Sequence, residues 1–269
     1  MVHDFAYFIT TQCITENSST PNDVQVPVQA SSVGPINRDF FELSIGFGLI
    51  MIAVWSPPSA QPVLYWITFS WILSVLLLAR RDHASLGLSF RSIHRSLWVV
   101  GVALMLALIQ IAISIQLGAL HPMYGPVPVG SHMWGYVIWA FLQQLVLQGF
   151  FLLRLLRLLP SPRSAVVTAA ALFAVVHLPN PLLTVATLVW GLVACTVFLK
   201  YRSLYTLGFI HGILGLCIAV SVPSAIHHHM RVGLGYLLYD ADEAQRADAS
   251  KLPSDLPEPS LPPTTVPQQ

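Results

Sequence analysis

Seven apolar stretches dominate the chain, at residues 40–56, 61–79, 97–118, 133–153, 165–179, 182–199 and 204–222. Several approach the ~20 residues an α-helix needs to cross a hydrocarbon core, where the backbone must satisfy its own hydrogen bonds. Strands would have to close into a barrel, and long unbroken apolar runs lack the alternation a barrel wall requires. The expectation is an all-α, polytopic transmembrane helix bundle of about seven spans. Composition agrees: 55% of residues are hydrophobic and 9% charged, against about 25% charged in soluble domains. A net charge of +1 without a Lys/Arg cluster excludes nucleic acid as a partner, since that needs a basic face.

Punctuation between the stretches sets the organisation. The fifth stretch is short and ends at Leu178, where Pro-Asn-Pro (residues 179–181) removes backbone donors and disfavours helix before it. Arg80, Arg81, Arg91 and Arg95 follow the second stretch, Arg154, Arg157 and Arg163 the fourth, and Lys200 and Arg202 the sixth. If every stretch crosses, these basic loops share one side, which the positive-inside rule makes cytoplasmic, together with the N-terminus. The expected place is the cytoplasmic (plasma) membrane. Residues 1–38 are polar and lack the basic-then-apolar layout of a leader, so a loosely ordered segment is expected there. Residues 39–239 form the expected membrane domain, and the acidic, Pro-rich residues 240–269 an expected disordered tail. Cys13 lies in the polar start and Cys195 and Cys217 in apolar runs, which implies no disulfide framework; small buried hydrophobes are expected.

Against this background the fourth stretch is anomalous, because FLQQLVLQGFF sets Gln143, Gln144 and Gln148 where lipid is the solvent. An unpaired buried amide costs about 2–7 kcal/mol, so these side chains must face the bundle interior, water or each other. Gln144 and Gln148 lie one turn apart on one face, whereas Gln143 points about 100° away from Gln144. Interhelical glue is the simplest use of such amides. Two further polar groups shift the balance toward a shared site: His177, one turn after Phe173, and His211, some eight residues into the seventh stretch. At ~1.5 Å per residue, His211 and the Gln143–Gln144 pair reach similar depth, near mid-membrane, with His177 further toward the outer face.

These three motifs, in this order, resemble those of the CPBP intramembrane endopeptidases, the CAAX protease and bacteriocin-processing family that includes the type II CAAX prenyl endopeptidases. The family pattern sets paired glutamates followed by arginine on one span, F-x-x-x-H on a later one and H-x-x-x-N or D on a third. Here the counterparts are Gln143-Gln144 with Gln148, Phe173 to His177, and His211 to Gly215. The resemblance covers residues 130–222, and the LGL of ASLGLSFRSIHRSLW is similar to the family's segment before a core span. It implies a membrane-embedded protease acting on a membrane protein or peptide substrate, with lipid as its surroundings. In that family the first glutamate and first histidine activate a water, while the last histidine and its Asn or Asp partner hold the oxyanion.

The departures lie in the same positions. Both glutamates are glutamines, the arginine is Gln148, and Gly215 stands where Asn or Asp is looked for. A carboxamide orients a water but does not take its proton near neutral pH. No Asp or Glu occurs between Asp82 and Asp240, so no core span supplies a carboxylate. One reading keeps a hydrolytic site on histidine: His177 and Gln143 hold the attacking water, His211 donates to the oxyanion, and Gln144 and Gln148 brace the site. Asn180 would then supply the amide that position 215 lacks, unless it only shapes a turn. A variant of this reading lets His177 and His211 hold a divalent metal such as zinc, which usually takes at least three protein ligands. His132 or one of His227, His228 and His229 would be the third, although an exposed polar patch is the plainer expectation for that run. The alternative is a catalytically inactive relative that binds a peptide, lipid or membrane partner in the same cavity. A His-based carrier or redox protein lacks the broken helices and repeated His pairs such chemistry calls for. Burial of two imidazoles and three amides costs free energy that a dead site has no catalytic reason to bear, which favours the hydrolytic reading.

Overall fold

A computed structural model describes residues 33–79, 86–120 and 129–239. The expectations for residues 1–32, for Cys13, Arg80 and Arg81 and for the tail from Asp240 concern residues outside this set. Every regular element within it is helical. In chain order these are α1 (Val33–Val54), α2 (Gln61–Leu78), α3 (Arg91–Gln116) and α4 (Val129–Gln144). The last runs on through a widened π-helical segment (Leu145–Leu152) into α5 (Leu153–Leu158). Then come α6 (Pro162–Val175), α7 (Pro181–Tyr201), α8 (Leu204–Ser221), the short α9 (Ser224–His227), a 3-10 turn (His228–Met230) and α10 (Gly233–Leu237).

All seven apolar stretches are thus helical. Five helices are long and apolar enough to cross a membrane: Gln61–Leu78, Ser92–Gln116, Met133–Leu158, Pro181–Tyr201 and Leu204–Ser221. The protein is an integral membrane protein. The fifth stretch yields the 14-residue α6, shorter than a full span, as its length foretold. Helix starts follow local chemistry. Ser161 accepts a hydrogen bond from the Ser164 amide ahead of Pro162, and Asn180 does the same for Leu183 ahead of Pro181, each cap satisfying an otherwise orphaned donor.

At its first helix the structure departs from the sequence reading. α1 begins at Val33 and includes residues assigned to a loose N-terminal segment. Its early turns carry Asp39 and Glu42, and both are paired. Arg154, 1% exposed, directs Nε and Nη2 onto Glu42 Oε2 at 3.1 and 2.9 Å, gives Nη1 to the Phe150 carbonyl, and lies 4.2 Å from the centre of the Phe150 ring. Arg157 pairs with Asp39 through two contacts. Carboxylates therefore do enter the bundle, from α1 and not from the core spans, and both are committed to arginines at the end of the fourth stretch.

Close approach between α4 and α8 depends on glycine. Gly208, Gly212 and Gly215 share a face of α8, and a Cβ on Gly208 would meet Phe141 at 2.6 Å and one on Gly212 would meet Val137 at 3.3 Å. Small residues at this spacing let helix backbones come together where no hydrophobic force separates protein from lipid. Gly191 does the same between α7 and α6, where its Cβ would stand 3.1 Å from Ala170 Cβ. At the other strut, Gly87 of the LGL segment takes φ +76° and accepts the Leu204 amide at 2.8 Å, tying the segment before α3 to the α7–α8 turn.

Candidate active site

Helices α4, α6 and α8 bring the polar residues of three apolar stretches to one place. Gln143, His177 and His211 line a single cavity of about 1270 Å³ among the transmembrane helices. The two imidazoles meet the same aromatic ring: His177 lies 4.9 Å and His211 5.8 Å from Phe173, centre to centre, and Trp190 lies 6.0 Å from His211. Phe173 and His177 are one turn apart, so a single turn at the end of α6 supplies both the imidazole and the wall against which its counterpart rests. Among the described residues no Asp or Glu lines the cavity.

Hydrogen bonding engages Nδ1 of each ring. His177 Nδ1 lies 2.7 Å from the Phe173 carbonyl. A carbonyl only accepts, so Nδ1 carries the proton and Nε2 keeps its lone pair. His211 has the opposite arrangement. Gln148 Nε2 donates to Gln144 Oε1 at 3.2 Å, and Gln144 Nε2 lies 3.1 Å from His211 Nδ1, which accepts. With Gln144 oriented this way, the proton of neutral His211 sits on Nε2, and the Ala140 carbonyl is a further acceptor beside this ring. One imidazole thus offers a base and the other a donor, on rings that share a cavity and a phenyl wall.

The amides divide as the 100° offset implies. Gln143 is half-buried on the cavity wall and has no hydrogen-bond partner among the described residues. Gln144 and Gln148 are fully buried behind the wall, in the chain that ends on His211. The fully buried Cys195 thiol, which the sequence offered only as a small hydrophobe, faces the Gln148 side chain. Gln148 falls within the π-helical segment, a local widening of a kind frequent at functional sites.

Asn180 does not reach the cavity wall. Its Oδ1 caps α7 and its Nδ2 donates to the carbonyls of His227 (2.9 Å) and Arg231 (3.1 Å). Its amide pins the segment after α8 against the turn that bears His177, and all its bonding capacity goes into that anchor. The His227–His229 run is no open patch either. His227 is buried and accepts the Met230 amide, and His228 packs on Tyr236 and Tyr239, which leaves His229 as the exposed member. No three His, Cys, Asp or Glu side chains among the described residues gather where they could hold one metal ion, and the side chain of His132 lies outside that set. Two imidazoles fall short of the three protein ligands that a zinc site usually takes.

At Gly215 the structure supplies a neighbour that the sequence did not announce. A Cβ there would fall inside the van der Waals envelope of the Tyr136 hydroxyl, with ring carbons Cζ and Cε1 at 2.7 and 2.8 Å. Tyr136 lines the same cavity. Seven residues before Gln143, it shares that residue's face of α4, although an aromatic in an apolar run gives no sign of this on its own.

Comparison with known proteins agrees with this geometry. Residues 125–217 match the family model described as type II CAAX prenyl endopeptidase Rce1-like. The similarity lies in this core segment. That core, about a third of the chain, runs from just before α4 into α8 and contains Tyr136, Gln143, Phe173, His177, Trp190, His211 and Gly215. No curated protein and no solved structure matches the chain. The family model describes an endopeptidase, so the likeness of this stretch is to a hydrolase.

Proposed function

We propose that this protein is an intramembrane endopeptidase that hydrolyses a peptide bond of a membrane-associated or lipidated protein, with histidine as the base. The observation that carries this reading is the opposed bonding of the two imidazoles on one cavity wall, Nδ1 of His177 on a carbonyl and Nδ1 of His211 on an amide nitrogen, which favours an Nε2 lone pair on the first and Nε2–H on the second. A water held by Gln143 and His177 attacks the scissile carbonyl carbon. Its proton passes to His177 Nε2, and the carbonyl π pair moves onto oxygen, where His211 Nε2–H meets the developing charge. As the tetrahedral species collapses, the C–N bond breaks and His177 returns its proton to the departing amine. A carboxylic acid and an amine are the products, and no other reactant is consumed. Gln144 and Gln148 hold the donor tautomer of His211 and touch no reacting atom.

The apolar wall fits the substrate class. The cavity exceeds the ~300–1,000 Å³ typical of small-molecule sites, and most of its lining is aliphatic or aromatic, as a lipid-bearing or transmembrane peptide would require. The test is turnover by purified full-length protein in nanodiscs, with a prenylated CAAX peptide and a transmembrane peptide as probes. Cleavage that places one atom of solvent oxygen-18 in the new carboxylate, and that His177→Ala and His211→Ala each abolish, is the expected result. A chelator should leave turnover unchanged. Tight peptide binding without cleavage would instead mark a non-catalytic relative, a reading favoured by the lack of a wall carboxylate among the described residues.

A further inference from the structure

Of the polar groups on the cavity wall that the hydrolytic scheme leaves idle, one stands beside the helix turn that bears His211. Tyr136 is half-buried on the wall, and its hydroxyl has no hydrogen-bond partner among the described residues. A phenol hydroxyl removed from bulk water ordinarily finds one. Its position is set by two helices at once. On α4 it lies two turns before Gln143, on the cavity-facing side. On α8 it stands over the bare Cα of Gly215, one turn beyond His211. The hydroxyl and the His211 ring therefore flank the same stretch of wall, and a side chain at 215 would displace the hydroxyl from it.

The hydrolytic scheme demands such a group. The oxyanion of a tetrahedral species has lone pairs for more than one donor, and a site with His211 alone would leave much of that charge uncompensated in an apolar cavity. We propose that the Tyr136 hydroxyl is the second oxyanion donor, completing with His211 a two-donor hole that exists because residue 215 is glycine. This rests on the hydrolytic reading of the same site. Tyr136 keeps its proton throughout and only lends it to a hydrogen bond.

The test compares wild type with Tyr136→Phe, which keeps the ring packed against Gly215 and removes one oxygen. For full-length protein in nanodiscs with the CAAX peptide, kcat should fall about 10²- to 10³-fold, the usual cost of one such donor. KM and the melting temperature should hold. A peptidyl phosphonate, a tetrahedral anionic mimic, should lose affinity in parallel, whereas the planar peptide should not. Replacing the ring altogether, Tyr136→Ala, should also be slow, and Gly215→Asn in that background should recover at least about tenfold by placing a new donor on α8 itself. Equal kcat in wild type and Tyr136→Phe overturns this proposal and leaves the hydrolytic one standing. A wild type that neither cleaves nor prefers the phosphonate to the planar peptide overturns both.

Discussion

Two imidazoles in one apolar cavity are useful only if they differ, and here each difference comes from the atom behind the ring. The Phe173 carbonyl takes Nδ1 of His177, which would leave its Nε2 as the base of the proposed reaction, and the Gln144 amide takes Nδ1 of His211, which would leave its Nε2–H as the donor. Gln144→Leu should therefore act through His211. Its Nδ1 loses a donor and Gln148 Nε2 an acceptor, at a stability cost of about 1–3 kcal/mol for an unsatisfied buried group. Melting curves should show that loss, while kcat drops about 10- to 100-fold, the equivalent of ~1.4–2.7 kcal/mol of lost transition-state stabilisation. Unchanged kcat would mean that the tautomer of His211 is set elsewhere. Gln143→Glu should raise turnover, because a carboxylate beside His177 can share the water's proton; no change would place Gln143 outside the reacting centre. At this scale the sequence revealed much. Intramembrane amides and imidazoles are conspicuous because their burial is costly, and helical spacing alone separated Gln143 from Gln144 and Gln148. Asn180 misled, since its chemistry suits an oxyanion and a helix cap equally and only the carbonyls of His227 and Arg231 decide between them. Tyr136 was hidden because its meaning lies in a contact with another helix.

Among the elements, α1 and α8 show how the site is held. α1 is bolted to the end of the fourth stretch by charge. Removing the acid from the buried Glu42–Arg154 pair should be far more damaging than breaking the outer one. Glu42→Ala leaves Arg154 uncompensated at 1% exposure, for a loss of about 3–5 kcal/mol. Asp39→Ala frees an arginine that is 40% exposed, for about 0–1 kcal/mol. Unfolding in detergent, followed by melting temperature, distinguishes the two, and equal losses would contradict the assignment of Arg154 to the interior. Gly208→Val would drive α8 off Phe141 and move His211 from the cavity wall, so cleavage should disappear even where the protein still inserts and purifies. Normal activity in that variant would show that α4 and α8 need not touch so closely. Helix positions were readable from apolar length, and the Pro-Asn-Pro break from proline chemistry. The early start of α1 was not, because Gly34 and Pro35 read as a break, and the ties that anchor the helix come later, from Asp39 and Glu42 to arginines some 110 residues away.

For the whole molecule, the account describes a membrane protein whose reacting groups lie within a largely apolar cavity among its spans. Substrates that partition into the bilayer should be cleaved with kcat/KM rising along a series of lengthening lipid anchors on one peptide, and a soluble peptide cleaved equally fast would contradict an intramembrane site. The membrane class was legible from composition and run length alone, since lipid leaves the backbone so few options. Convergence on one cavity was an inference from polar cost, and it needed the packing of three helices to become a geometry. The most direct test of the central claim is the protonation of the two rings. In nitrogen-15 NMR of histidine-labelled protein, assigned with His177→Gln and His211→Gln, the account predicts His177 protonated at Nδ1, His211 at Nε2, and both resonances shifted by the peptidyl phosphonate. Identical tautomers in the two rings, or a phosphonate that moves neither, would contradict it.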